Sequence, residues 1–246
     1  MINEVDLRSL NLKNIIEESP YQYKNRNVAR VTSILSKMIS EENYIYWANR
    51  LGLDGEKYSQ VMKYYQDFGT ATHYGIECFL KNEPVPQDTP LFPFTQFMEW
   101  WSKLNKDYKE VKVLGQEEEL VGPYYGGKYD LMMSVDNKVW LVDFKTSSKV
   151  TYKYFLQLAA YTTLLESMNR RVDGLLVLQL PRNDNAKYKE YYLDRSYQPH
   201  EEYLNMCKRT FESMVYTYYH TIRLEEEFKN EWVKNISREV RSSQSK

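Results

Sequence analysis

Residues 126–145, GGKYDLMMSVDNKVWLVDFK, constrain the fold more than any other stretch of this chain. Two apolar, β-rich runs flank Asp136-Asn137, and both turn residues tolerate left-handed dihedrals, so the segment predicts a hairpin with a two-residue turn. Such a turn pairs Val135 with Lys138. Equal steps back along both strands place Asp130 opposite Asp143 and Lys128 opposite Lys145. Directly opposed side chains have Cβ atoms about 4.5–5.5 Å apart, and like charges there are destabilising unless something offsets them. A divalent cation would do so, and hard oxygen ligands at this separation suit Mg²⁺ or Mn²⁺. The strand period of two puts Asp143 and Lys145 on one face and Val142 and Phe144 on the other. An ammonium beside a metal-bound phosphate can position the attacking water and stabilise charge developing on phosphorus. The same residues also read as ordinary strand positions on a solvated face, with Lys145 as a salt-bridge partner.

Apolar periodicity predicts helices over 31–39, 41–51, 55–80 and 94–105, the third ended by the loop that holds Pro84 and Pro86. Strand-type runs follow at 111–121, 127–135 and 138–144, then at 174–180 and 188–193. Between these two groups, Phe155, Leu158, Ala159, Thr162 and Leu165 recur at helical spacing over 152–167. A charged helical stretch runs from 201 to about 240. The order predicts an α/β body with a mixed sheet and an added helical subdomain. Three regions are expected: 1–108, helical; 109–200, the core; and 201–246, a helical extension ending in the short tail from Ser242.

The 246 residues are 42% hydrophobic and 27% charged, the composition of an ordered globular chain. The start, MINEVDLRSL, has no signal-peptide or transit-peptide character, and no segment is apolar for the roughly 18 residues that a membrane span requires. A soluble, unsecreted, cytoplasmic protein without a membrane partner is expected. Two cysteines, Cys78 and Cys207, are too few for a four-thiolate iron–sulfur cluster and form no disulfide framework. The net charge of −1 lacks the basic excess of many nucleic-acid binders, although carboxylates committed to metal lower the sum while basic residues elsewhere face phosphate.

Six short pieces stand in one order: Val31-Thr32-Ser33-Ile34-Leu35; Gly69-Thr70-Ala71-Thr72-His73 with Ile76-Glu77; Glu117-Glu118-Glu119-Leu120; Gly127 with Asp130; Asp143-Phe144-Lys145-Thr146-Ser147; and Gln157-Leu158-Ala159-Ala160-Tyr161. In this order the chain resembles the PD-(D/E)XK nuclease superfamily, in its RecB-like branch, and is most similar to phage-type exonucleases and the mitochondrial genome maintenance exonuclease. The resemblance implies a restriction-endonuclease-like core, a central mixed sheet flanked by helices, with an N-terminal helical subdomain. It implies that Asp130 and Asp143 bind metal, that the Phe144 carbonyl completes the metal shell, and that Lys145 is the catalytic lysine. His73 takes the place of the branch's helix-borne histidine that reaches the metal. Glu77, one turn on, would orient that histidine or reach metal through water, or it reflects only helix polarity. Spacing to Leu120 favours Glu117 over Glu118 and Glu119 as the additional acidic residue. Gln157, with Tyr161 a turn later, would brace the lysine or the DNA backbone.

Lys145, Lys149 and Lys153 recur every four residues among Tyr152, Tyr154 and Phe155, a pattern suited to a single-strand path, though 23 tyrosines make such interleaving common. Tyr44, Tyr46, Trp47 and Arg50 would, by family analogy, line an arch that threads a strand end. The expected activity is metal-dependent exonucleolytic hydrolysis of linear, single-stranded DNA with 5′-phosphate products, in recombination, replication or repair, a phage setting included. Recombination or replication proteins are the expected partners. An endonuclease on the same core and a non-catalytic nucleic-acid-binding module are the alternatives.

Overall fold

The computed structural model describes residues 16, 18–39, 42–184 and 186–233, with the backbone alone at 42–44 and 232–233. The N-terminal decapeptide, the Tyr44 side chain, the tail from Ser242 and the helical stretch past 233 lie outside the described residues.

The expected hairpin is present. Strand β5, Tyr125–Val135, pairs antiparallel with β6, Lys138–Lys145, in the register Val135↔Lys138 through Leu131↔Val142. Asp136 and Asn137 have φ of 43° and 69°, the left-handed pair that a two-residue turn demands. β4, Val111–Val121, runs antiparallel along the other edge of β5, with a register shift between Val113 and Gly115. β6 continues parallel to β7, Gly174–Gln179, which pairs antiparallel with β8, Lys189–Asp194. The sequence did not signal three two-residue strands: β1, Gln22–Tyr23, β2, Arg26–Asn27, and β3, Ala29–Arg30. Two residues are too few to show a period. β3 pairs parallel with Tyr125 and Gly126. Because Gly126 also pairs with Val121 of β4, β3 occupies the edge of β5 that β6 takes from Leu131 onward. Residues 127–130 have no strand partner on that edge among the described residues, and this is where the site lies.

Both faces of the sheet are covered. Helices α1, Val31–Met38, α5, Tyr152–Ser167, and α6, Gln198–Phe228, pack with Tyr129, Met132, Leu141, Leu175 and Val177 on one face. Helices α3, Tyr58–Leu80, and α4, Leu91–Asp107, pack with Leu131, Met133, Val142, Phe144, Leu176 and Leu178 on the other. α2, Glu42–Leu53, leans on α3. Phe97 of α4 is fully buried and contacts the rings of Phe79, Trp100 and Phe144, a burial that contributes about 1.5–3 kcal/mol. α5 buries eight residues, more than one amphipathic stripe, because it lies between the sheet and α6. No described helix is long and apolar enough to cross a membrane.

Candidate active site

The site forms where β5 and β6 part. The strand period holds as read: Val142 and Phe144 enter the α3/α4 core, whereas Asp143 and Lys145 turn to the α5 side. The ladder stops one step before Asp130 and Asp143. Asp130 Oδ2 instead accepts the Phe144 N–H at 2.7 Å, which pins the carboxylate across the parting strands. Lys145 Nζ donates to Asp143 Oδ1 at 2.7 Å and lies 4.9 Å from the centre of the Tyr154 ring. The other oxygen, Asp143 Oδ2, is buried with no hydrogen-bond partner among the described residues.

His73 reaches the same place from α3. Its Nε2 is 2.9 Å from the Phe144 carbonyl, which can only accept, so Nε2 carries a proton and Nδ1 faces Asp130 Oδ1 at 3.4 Å. The Phe144 carbonyl is therefore engaged by His73, with one lone pair left for a cation.

Among the three consecutive glutamates the backbone discriminates. Glu117 has φ of 50°, a left-handed conformation inside a strand, and this turns its carboxylate toward Asp130. One ligand atom from each of His73, Glu117 and Asp130 lies within 4.8 Å of the others, a group able to hold a metal ion. Glu118 points elsewhere, onto Arg170 and the Tyr129 hydroxyl, and Glu119 is an exposed residue opposite Lys128. Lys128 pairs with Glu117 and does not face Lys145, whose strand neighbour is Gln179. The hairpin register does not extend that far because the strands have already separated.

The electrostatics match a cation site. Burial pushes the Asp143 carboxyl up to about 6, with Lys145 opposing and Asp130 reinforcing the rise. Asp130 is half-buried, but His73, Lys145 and the Phe144 N–H outweigh the desolvation and hold it below the usual range. Burial pulls His73 and Lys145 down, yet the two aspartates more than compensate, so both end above their ordinary values. Burial raises Glu117 against the pull of Lys128.

The remaining predicted residues separate into near and far. Tyr161 packs against Gly127, where a Cβ would come within 2.4 Å of the ring, and Gln157 Nε2 donates to the Tyr161 hydroxyl at 3.3 Å. Glu77 pairs with Lys81 one turn away and stands outside the ligand cluster. Lys149 is exposed. Lys153 donates to the Ile39 carbonyl at the C-terminus of α1. Cys78 and Cys207 are buried free thiols on α3 and α6.

A profile of the PD-(D/E)XK nuclease superfamily matches residues 92–223, which span α4, the hairpin, α5 and most of α6. The chain belongs to the PD-(D/E)XK nuclease superfamily. The mixed sheet flanked by helices is accordingly its restriction-endonuclease-like fold, and the chain is a nucleic-acid hydrolase by family. Among solved structures, one named "Putative exonuclease" from Eubacterium rectale has TM-score 0.35 and 10% identity, covering 61% of this chain and 68% of that one. Another, SSO0001, has TM-score 0.38 and 17% identity over 83% of each chain. Such distant likenesses add nothing to the superfamily match. No curated protein matches the sequence.

Proposed function

We propose that this PD-(D/E)XK nuclease hydrolyses DNA phosphodiesters as an exonuclease of the RecB-like branch, acting on linear, single-stranded DNA. The observation that carries the reading is the convergence of Asp130, His73 and Glu117 beside a buried Asp143–Lys145 pair. Superfamily members use divalent metals, and these residues fit one. Two carboxylates and an imidazole cluster there, and Asp143 Oδ2, the oxygen that Lys145 does not engage, is buried with no described hydrogen-bond partner. Bound there, Mg²⁺ or Mn²⁺ supplies neutralising charge for phosphoryl oxygens and lowers the pKa of water.

Lys145, held charged by Asp143, places an N–H donor at the attacking water or at a phosphoryl oxygen. Asp143 orients that ammonium, and the Phe144 carbonyl fixes the His73 tautomer. Gln157 and Tyr161 wall the centre on the α5 side and steady the strand at Gly127. The oxygen of water bonds to phosphorus, the P–O3′ bond breaks, and the products carry a 5′-phosphate and a 3′-hydroxyl. Recombination, replication or repair is the setting, including that of a phage in a bacterial cytoplasm, with proteins of those processes as partners.

The test is digestion of end-labelled linear and covalently closed circular single strands with Mg²⁺, Mn²⁺ or EDTA, run beside Asp143→Ala and Lys145→Ala. Degradation of linear strands alone, only with metal, and at least 100-fold slower in both variants is expected, on the scale of about 10²–10³ for one lost electrostatic donor. Equal cutting of circles would make the protein an endonuclease. Binding without turnover would make it a binding module.

A further inference from the structure

Lys145 ends β6, and its ammonium is held from two sides. Asp143 Oδ1 accepts one of its N–H groups at 2.7 Å. The ring of Tyr154 faces it with Nζ 4.9 Å from the ring centre, inside the roughly 6 Å over which an aromatic face attracts a cation. Only 18% of the lysine side chain is exposed, so little water screens that attraction. A lysine has a flexible four-carbon stem and three N–H donors, and one carboxylate contact leaves two of those donors free to swing. An aromatic face restrains them without adding a further negative charge beside Asp130 and Asp143.

The ring is itself tied to the strands that carry the lysine. Tyr154 stands in the first turn of α5 and packs against the core on the α5 side of the sheet. Its hydroxyl donates to Ser147 Oγ at 3.0 Å, and the Ser147 carbonyl accepts Gln179 Nε2 at 2.8 Å. Gln179 is the β7 neighbour of Lys145, and its Oε1 accepts the Tyr191 hydroxyl at 3.4 Å. The amine and the ring are thus both anchored at the ends of β6 and β7. We infer that Tyr154 is a positioning residue for the hydrolysis: its ring backs the Lys145 ammonium against Asp143 and keeps the remaining N–H groups aimed at the attacking water or a phosphoryl oxygen. The inference rests on the nuclease function proposed above. It gives Tyr154 a task other than base stacking, since the ring face toward the centre is taken by the lysine.

The experiment pairs kinetics with a spectroscopic reading of the lysine, both on the full chain. With Mn²⁺ and a linear single-stranded oligonucleotide, Tyr154→Leu is expected to lower kcat about tenfold, within the roughly 3- to 30-fold that a desolvated cation–π contact contributes, and to shift KM by less than about twofold. Tyr154→Phe, which keeps the ring and loses the Ser147 bond, is expected to restore most of that loss. Equal losses in the two variants would overturn the inference, because the tie to Ser147 would then be the whole effect. A Tyr154→Leu protein that changes KM alone, or changes nothing, would overturn it as well. In EDTA without DNA, proton–carbon correlation spectra of protein carrying isotope-labelled lysine read the contact directly. The Lys145 Cε protons, identified by their absence in Lys145→Arg, are expected upfield of those of exposed lysines in the unmodified protein and in Tyr154→Phe, and to lose that shift in Tyr154→Leu. Unshifted Lys145 protons in the unmodified protein would refute the contact even where Tyr154→Leu melts early. Absence of turnover by the unmodified protein would refute the nuclease reading, and the lysine spectrum would then decide by itself whether the ring holds the amine.

Discussion

At Asp143 the fold holds a carboxyl whose pKa rises to about 6 from an ordinary 3.8, because burial favours the neutral form more than Lys145 favours the charged one. A raised folded pKa means that the stability linked to this group is fully present below about 3.8 and is lost as pH rises through about 6. Metal binding has the opposite demand, since only the carboxylate ligates. Mn²⁺ affinity measured by titration calorimetry is therefore expected to rise between pH 5 and 7 with release of a proton, whereas a pH-independent affinity would remove Asp143 from the site. Glu117 poses a related conflict in its backbone. Its φ of 50° is unfavourable for a side chain with a Cβ, a strain of about 1–3 kcal/mol, and glycine adopts that conformation freely. Glu117→Gly is expected to melt no lower than the unmodified protein while losing at least tenfold in Mn²⁺ affinity. Glu118→Gln and Glu119→Gln should leave that affinity unaltered.

Between elements, α5 comes close to β5 where the Tyr161 ring lies over Gly127. An added Cβ would meet a ring carbon at 2.4 Å, so Gly127→Ala is expected to cost about 1–3 kcal/mol through overpacking, read as a lower Tm in thermal denaturation. Gly52, inside α2, has nothing within 4 Å, and Gly52→Ala is expected to stabilise by about 0.5–1 kcal/mol through helix propensity. A loss at Gly52 or a gain at Gly127 would contradict the packing described. The hairpin and the bounds of β4 and α5 were legible in the sequence because turn chemistry and side-chain period act within a few residues. The extent of burial of α5 was not, since its apolar stripe could not show that α6 would cover the opposite side.

For the whole molecule, a net charge of −1 leaves little long-range attraction for DNA, so phosphate contacts have to come from few residues. Under the proposed function Lys145 and the exposed Lys149 would supply two such contacts. Each phosphate contact contributes a slope of about −0.7 for single strands, so log affinity against log salt should fall with a slope of roughly −1.4. A slope near −6, on the order of eight contacts, would mean that basic surface elsewhere carries the binding. By itself the sequence determined the α/β class, the order of the helices and of the five longer strands, the hairpin register down to Leu131↔Val142, and the shared face of Asp143 and Lys145. Each depends on spacing among neighbours in the chain. Only the tertiary structure decided that Glu117 and not Glu118 meets His73, that Lys153 serves the end of α1, that Lys128 pairs with Glu117, and that Arg182 lies on Tyr65. Those outcomes depend on a local left-handed residue, on where the strands part, and on contacts between residues more than a hundred positions apart. None of these leaves a mark in hydrophobic period, which records which side of an element faces the core and not which element it will meet.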